Sequence, residues 1–163
     1  MNIKELKRKT ILETLCWVVA TWFGAGCSPK APGTVGSLFA LPMVAVGIMG
    51  GMSWLVCGAG VLFLLGWGAT YVVLKSQKEQ DPGFVVIDEV VGQMLTFLWV
   101  LPRAAEWPLL VAGFALFRLF DIIKLWPASY FDKYVHNAFG VMADDVVAGL
   151  YAAIALYGLS FVI

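Results

Sequence analysis

The sequence predicts an all-α, polytopic membrane helix bundle of about five crossing helices, with an N-terminal interfacial or re-entrant helix, in one domain spanning residues 1–163. Three observations carry this reading. Hydrophobic residues make up 61% of the chain and charged residues 13%, with a mean hydropathy of +0.85, whereas a soluble domain is about 45–50% apolar and about 25% charged. The charges are clustered, and residues 31–74, 90–102 and 146–163 carry none. A helix needs about 20 apolar residues to cross a bilayer, so the first of these runs is long enough for two passes.

The elements follow in order. Lys4, Lys7, Arg8 and Lys9 precede an apolar stretch from Leu15 to Phe23. A signal peptide has that layout, but this stretch leads into a Pro/Gly loop, so residues 1–23 read as an interfacial or re-entrant helix. The long uncharged run breaks at Gly50-Gly51 and Ser53, a turn signal, which predicts helices over 37–50 and 53–74. A third helix is predicted over 84–101, between the Asp81-Pro82-Gly83 turn and Pro102. A fourth is predicted over 106–126, stopped by Pro127, and a fifth from 140 to the C-terminus.

Eleven basic and eleven acidic side chains leave no net charge, which excludes a basic nucleic-acid binder. The apolar content excludes a disordered chain. Cys16, Cys27 and Cys57 are odd in number and far apart, which argues against a disulfide framework or a zinc site and reads as small buried hydrophobes. If the N-terminal stretch does not cross, Lys30, Lys75, Lys78, Lys124, Lys133 and the N-terminal cluster fall on one side and Arg103 on the other. The positive-inside rule then makes that side cytoplasmic.

This topology gathers acidic residues. Asp88 and Glu89 start the third helix, Asp121 ends the fourth and Asp144 and Asp145 start the fifth, so all five reach one membrane face. Carboxylates in apolar helices are costly and face a protein interior or a wet cavity. Gathered together they repel unless cations neutralise them, and hard oxygen ligands from several helices suit Mg²⁺. The plainer alternative pairs Asp121 with Arg118 or Lys124, each three residues away on its helix.

The segment Ser28-Pro29-Lys30-Ala31-Pro32-Gly33-Thr34-Val35-Gly36-Ser37 lies on the same face. It is either a phosphate-binding loop, with Lys30, Thr34, Ser37 and backbone N–H groups as donors, or a connector in which Thr34 and Ser37 are N-caps. His136, the one histidine, is either a surface or cap residue or a general acid or phosphate contact. A cysteine-phosphatase loop, a DxDx[TV] nucleophile motif and a P-loop are all absent from the sequence.

Four blocks in order, SPKAPGTVGS at 28–37, VVIDEVVGQ at 85–93, FRLFDIIKLWP at 117–127 and FDKYVHNAFGVMADDVVAG at 131–149, make the chain resemble the phosphatidylglycerophosphatase A family of bacterial lipid phosphatases. The resemblance implies Mg²⁺-dependent hydrolysis of the terminal phosphate monoester of phosphatidylglycerophosphate at the cytoplasmic membrane. By position, the family's acidic signatures fall on Asp88, Glu89, Asp121, Asp144 and Asp145, with Lys124 beside them; these residues are expected to be catalytic, and the five carboxylates to hold the metal. Lys30, Thr34, Ser37, Arg118 and His136 are the expected substrate contacts. The nucleophile is water or a carboxylate. The competing class is a divalent-cation transporter built on an intramembrane carboxylate cluster; the gathering of the carboxylates at one face, without a visible inverted repeat, leans against it.

Overall fold

The computed structural model describes residues 10–77 and 82–163, so the expectations placed on Lys4, Lys7, Arg8, Lys9, Lys78 and Asp81 lie outside the described residues. Among the described residues there are seven α-helices and no strand. They are α1 (Ile11–Ala20), α2 (Pro32–Gly50), α3 (Met52–Ser76), α4 (Ile87–Thr96), α5 (Trp107–Ile123), α6 (Ala128–Tyr134) and α7 (Ala138–Leu159), with short 3-10 turns at Ala25–Cys27 and Leu101–Arg103. The all-helical class is as expected. Three helices, α2, α3 and α7, are long and apolar enough to cross a membrane.

Several boundaries differ from expectation for local reasons. Helix α2 begins at Pro32 rather than 37, so most of the Pro/Gly segment is helix. Proline suits the first helical position because its φ is already helical and its missing N–H is not needed there. Ala31, at φ 47°, is the N-cap; neither Thr34 nor Ser37 caps the helix. Helix α5 ends before Pro127 is reached, because Lys124 takes a left-handed conformation (φ 50°) that closes the last turn onto Phe120. Helix α1 starts before the expected apolar stretch, where Thr10 and Glu13 form a reciprocal capping box. Cys27 and Cys57 are exposed rather than buried.

The largest departure is the third expected helix. It is ten residues long, about 15 Å at the usual rise, or half the hydrocarbon thickness of a bilayer. After Thr96 the chain turns and passes through the Leu101–Arg103 turn. Helix α4 is instead the core of the bundle: eight of its ten residues are buried, and it packs on α2, α3, α5 and most extensively on α7. Gly92 and Gly149 set the α4–α7 crossing. A Cβ on Gly149 would run into the backbone of Gly92, 2.9 Å from its Cα, and a Cβ on Gly92 would meet the Asp145 carbonyl and the Phe117 ring. Only small residues let two helices approach this closely.

The far end of the bundle is tied by Arg103. Its guanidinium donates to the carbonyls of Ser160 (2.5 Å) and Ile163 (2.9 Å) just beyond α7, and it pairs with Glu106 at 2.8 Å. A cation there suits the negative end of the α7 dipole.

Candidate active site

The Gly92–Gly149 contact determines what meets one turn nearer the start of each helix. Four residues back from these glycines, toward the start of each helix, stand Asp88 and Asp145. Asp88, Glu89 and Asp145 each present a carboxylate oxygen, and these oxygens lie within 4.8 Å of one another. Asp88 and Asp145 are 7% and 4% exposed. In the Asp-Glu and Asp-Asp pairs alike, the first aspartate accepts the N–H of the next residue at 3.0 Å, which fixes its side chain against the helix backbone. Carboxylates this close in a buried setting repel one another.

Arg118 stands beside the trio. Its Nη1 is 2.7 Å from Asp121, 3.3 Å from Ser37 Oγ and 3.7 Å from Glu89. The Arg118–Asp121 pair is thus the three-residue pairing that the sequence left as the plainer alternative, and Asp121 also faces Glu89 and Asp145 electrostatically. Gly33 closes the site from α2: a Cβ there would collide with Glu89 Oε1 and stand 3.1 Å from Arg118 Nη1. The first intrahelical bond of α2 runs from Val35 N to Ala31 O. The N–H groups of Gly33 and Thr34, at this positive helix end, therefore have no partner within the helix. Ser37 is fully buried and donates back to Gly33 O at 2.8 Å.

Asp144 is drawn away from the trio. Lys124 Nζ lies 2.7 Å from Asp144 and 2.5 Å from Asp132, which is carried by α6, a helix packed beside α7. Burial disfavours the charged ammonium, but the two carboxylates outweigh it and raise the Lys124 pKa above its ordinary value of 10.5. The turn holding Lys124 is itself held, because Tyr151 Oη donates to Trp126 O at 2.7 Å.

The expected residues thus separate into groups. Asp88, Glu89 and Asp145 meet; Asp121, Arg118 and Ser37 line one wall; Lys124 and Asp144 form an adjoining ion pair. Thr34 is half-buried beside Gly33, while Lys30 and His136 are exposed near the same end of the bundle. Sequence reasoning missed Asp132 as a partner of Lys124, and missed Gly33 as the residue against Glu89. The signal for Gly33 was present: a glycine in the first turn of a helix invites the question of what approaches it.

Hard oxygen donors in a buried, like-charged trio fit a divalent cation. Glu89 Oε2 supports the fit, being buried and without a hydrogen-bond partner among the described residues. Arg118 is committed first to Asp121, so one guanidinium faces several carboxylates.

Fold and site together define a membrane-type helical protein whose one end closes on a buried acidic centre able to hold a metal. The chain belongs to the phosphatidylglycerophosphatase A family, whose profile matches residues 18–160. It is 37% identical over 157 residues to phosphatidylglycerophosphatase A of Escherichia coli, covering 94% of this chain and 89% of that one. It is 36% identical over 158 residues to phosphatidylglycerophosphatase A of Haemophilus influenzae, covering 96% and 94%. A Bacteroides thetaiotaomicron protein, provisionally named a phosphatidylinositol-3-phosphatase, is 36% identical over 163 residues, covering 93% and 95%. No solved structure matches the chain. The family makes the chain a phosphatase, and the transporter reading gains no support from these relatives.

Proposed function

We propose that this protein hydrolyses the terminal phosphate monoester of phosphatidylglycerophosphate, giving phosphatidylglycerol and inorganic phosphate, with Mg²⁺ as its cofactor. The observation that carries the proposal is the buried Asp88–Glu89–Asp145 trio, with its unpartnered Glu89 oxygen, beside Arg118 and the N-terminus of α2. The family match and the names of the relatives support the substrate.

Asp88, Glu89 and Asp145 would hold Mg²⁺, with Asp121 and Asp144 completing the acidic surround. A bound Mg²⁺ neutralises charge on phosphoryl oxygens and favours attack by an oxygen nucleophile. The rest of the chemistry falls to the chain's own groups. A phosphate monoester carries nearly two negative charges, so catalysis is mostly positioning and charge stabilisation. Arg118 and the free N–H groups of Gly33 and Thr34 bind the non-bridging oxygens, Thr34 adds a hydroxyl donor, buried Ser37 orients Arg118 by accepting from its Nη1, and exposed Lys30 and His136 attract and orient the head group. Lys124 holds Asp144 in place through their 2.7 Å contact. Water is the favoured nucleophile; attack by a carboxylate through an acyl-phosphate is the second route.

The acyl chains stay in the bilayer, so only the head group has to reach the site. The lysines at 30, 75, 124 and 133 lie toward the site end and Arg103 at the other, which supports a cytoplasmic site in a bacterial inner membrane. Five crossings follow if α4 with its succeeding turns, and α5, traverse alongside α2, α3 and α7.

The test is phosphate release by the full-length protein from detergent micelles of phosphatidylglycerophosphate, phosphatidylinositol 3-phosphate and phosphatidic acid, with Mg²⁺ or with EDTA. The proposal expects fastest release from phosphatidylglycerophosphate and none in EDTA. Preference for another monoester would overturn the substrate, and full activity in EDTA would overturn the metal.

A further inference from the structure

Gln93 is fully buried in α4, yet neither its Oε1 nor its Nε2 has a hydrogen-bond partner among the described residues. Leaving a buried amide unsatisfied forfeits its hydration without return, and an apolar residue of the same shape would avoid that cost. Packing alone therefore gives no reason for glutamine at this position.

The position of Gln93 supplies one. It lies four residues after Glu89, so the two side chains share a face of α4 one turn apart. Long side chains on a helix lean toward its N-terminus, over the preceding turn, which directs the Gln93 amide toward Glu89. Two more unpartnered buried atoms belong to this neighbourhood: Glu89 Oε2 and Nε of Arg118, the residue whose Nη1 faces Glu89 at 3.7 Å. The four atoms are complementary, two donors (Gln93 Nε2 and Arg118 Nε) and two acceptors (Gln93 Oε1 and Glu89 Oε2).

We propose that Gln93 is a positioning residue for the carboxylate centre: when the centre is loaded, its amide donates from Nε2 to Glu89 Oε2 and accepts at Oε1 from Arg118 Nε. Glu89 is thereby fixed with its other oxygen toward the cation, and Arg118 with its Nη groups toward phosphate. Groups that orient a metal ligand in this way typically change metal affinity by about 10–100-fold when removed.

The inference rests on reading the trio as a divalent-cation site, and the experiment separates the two. Mn²⁺ binding to the full-length protein in detergent is followed by the electron paramagnetic resonance of free Mn²⁺, for wild type, Gln93→Met, Glu89→Gln and the double variant. Gln93→Met is expected to bind Mn²⁺ about tenfold or more weakly while melting in EDTA at the wild-type temperature or above. In the Glu89→Gln background the same change is expected to cost nothing further, because Gln93 acts through Glu89. Wild-type affinity in Gln93→Met, or an equal loss in both backgrounds, would overturn the positioning role. A wild-type protein that binds no Mn²⁺ would overturn the cation site itself, and the inference with it. Should Gln93→Met not fold, Gln93→Leu repeats the test in a second apolar shape; failure of both to fold would assign the amide a structural role instead.

Discussion

Gly92 of α4 and Gly149 of α7 touch backbone to backbone, and the residues four places before them, Asp88 and Asp145, belong to one carboxylate trio. The spacing of the glycines thus carries the geometry of the acidic centre. Gly149→Ala is expected to destabilise the protein by about 1–3 kcal/mol, the usual cost of overpacking, and to lower activity further by moving Asp145 away from Asp88. Thermal melting and kcat/KM check the two effects. A variant with wild-type melting and activity would mean that the contact does not set the site.

Gly33→Ala tests the α2 wall. Its methyl group would collide with Glu89 and crowd Arg118, so activity is expected to fall at least as far as in Thr34→Val. Lys30→Ala, at an exposed residue, should raise KM and leave kcat nearly unchanged. Equal kcat/KM in all three variants and wild type would return this segment to a plain connector.

The carboxylates were legible in the sequence because charge inside an apolar stretch is costly enough to require a reason. Their division was not. Lys124 and Asp144 are twenty positions apart, and their pairing depends on the left-handed turn at Lys124 and on the packing of α5 and α6 against α7. The shortness of α4 was hidden too. Residues 90–101 carry no charge and no Gly or Pro after Gly92, so no breaker marks the turn at Phe97. Burial against four neighbouring helices, a tertiary effect, shapes that segment.

The Lys124 ion pair predicts a contrast in stability. Lys124→Met takes the ammonium away from Asp144, which is 6% exposed. Removing one partner of a buried pair costs up to about 3–5 kcal/mol, less here because the lysine is partly exposed. Asp132→Asn, which leaves the 2.7 Å Lys124–Asp144 contact in place, is expected to melt much closer to wild type. The reverse order would show that Asp132 carries the pairing.

At the far end, Arg103→Gln should lower the melting temperature by freeing the Ser160 and Ile163 carbonyls, with kcat/KM unchanged. The hydrogen bond from Arg103 holds the Glu106 pKa below its ordinary 4.5. A depressed carboxylate stabilises the fold above its unfolded pKa and loses that contribution as pH falls through the folded value. Melting curves of wild type and Glu106→Gln should therefore differ at neutral pH and converge below about pH 4. The gap should be small, since both side chains are exposed. A gap that widens in acid would contradict the pairing.

The central claim, that the Asp88–Glu89–Asp145 trio is the hydrolytic centre, is tested most directly by phosphate release from phosphatidylglycerophosphate in Asp88→Asn, Glu89→Gln and Asp145→Asn. Each change keeps the side-chain shape and removes one negative charge. Each variant is expected to lose about 10²–10³ in rate, the typical cost of one lost transition-state contact, and to need more Mg²⁺ for the activity that remains. In EDTA each should melt at or above the wild-type temperature, because like charges have been relieved. Wild-type rates in folded variants would contradict the account.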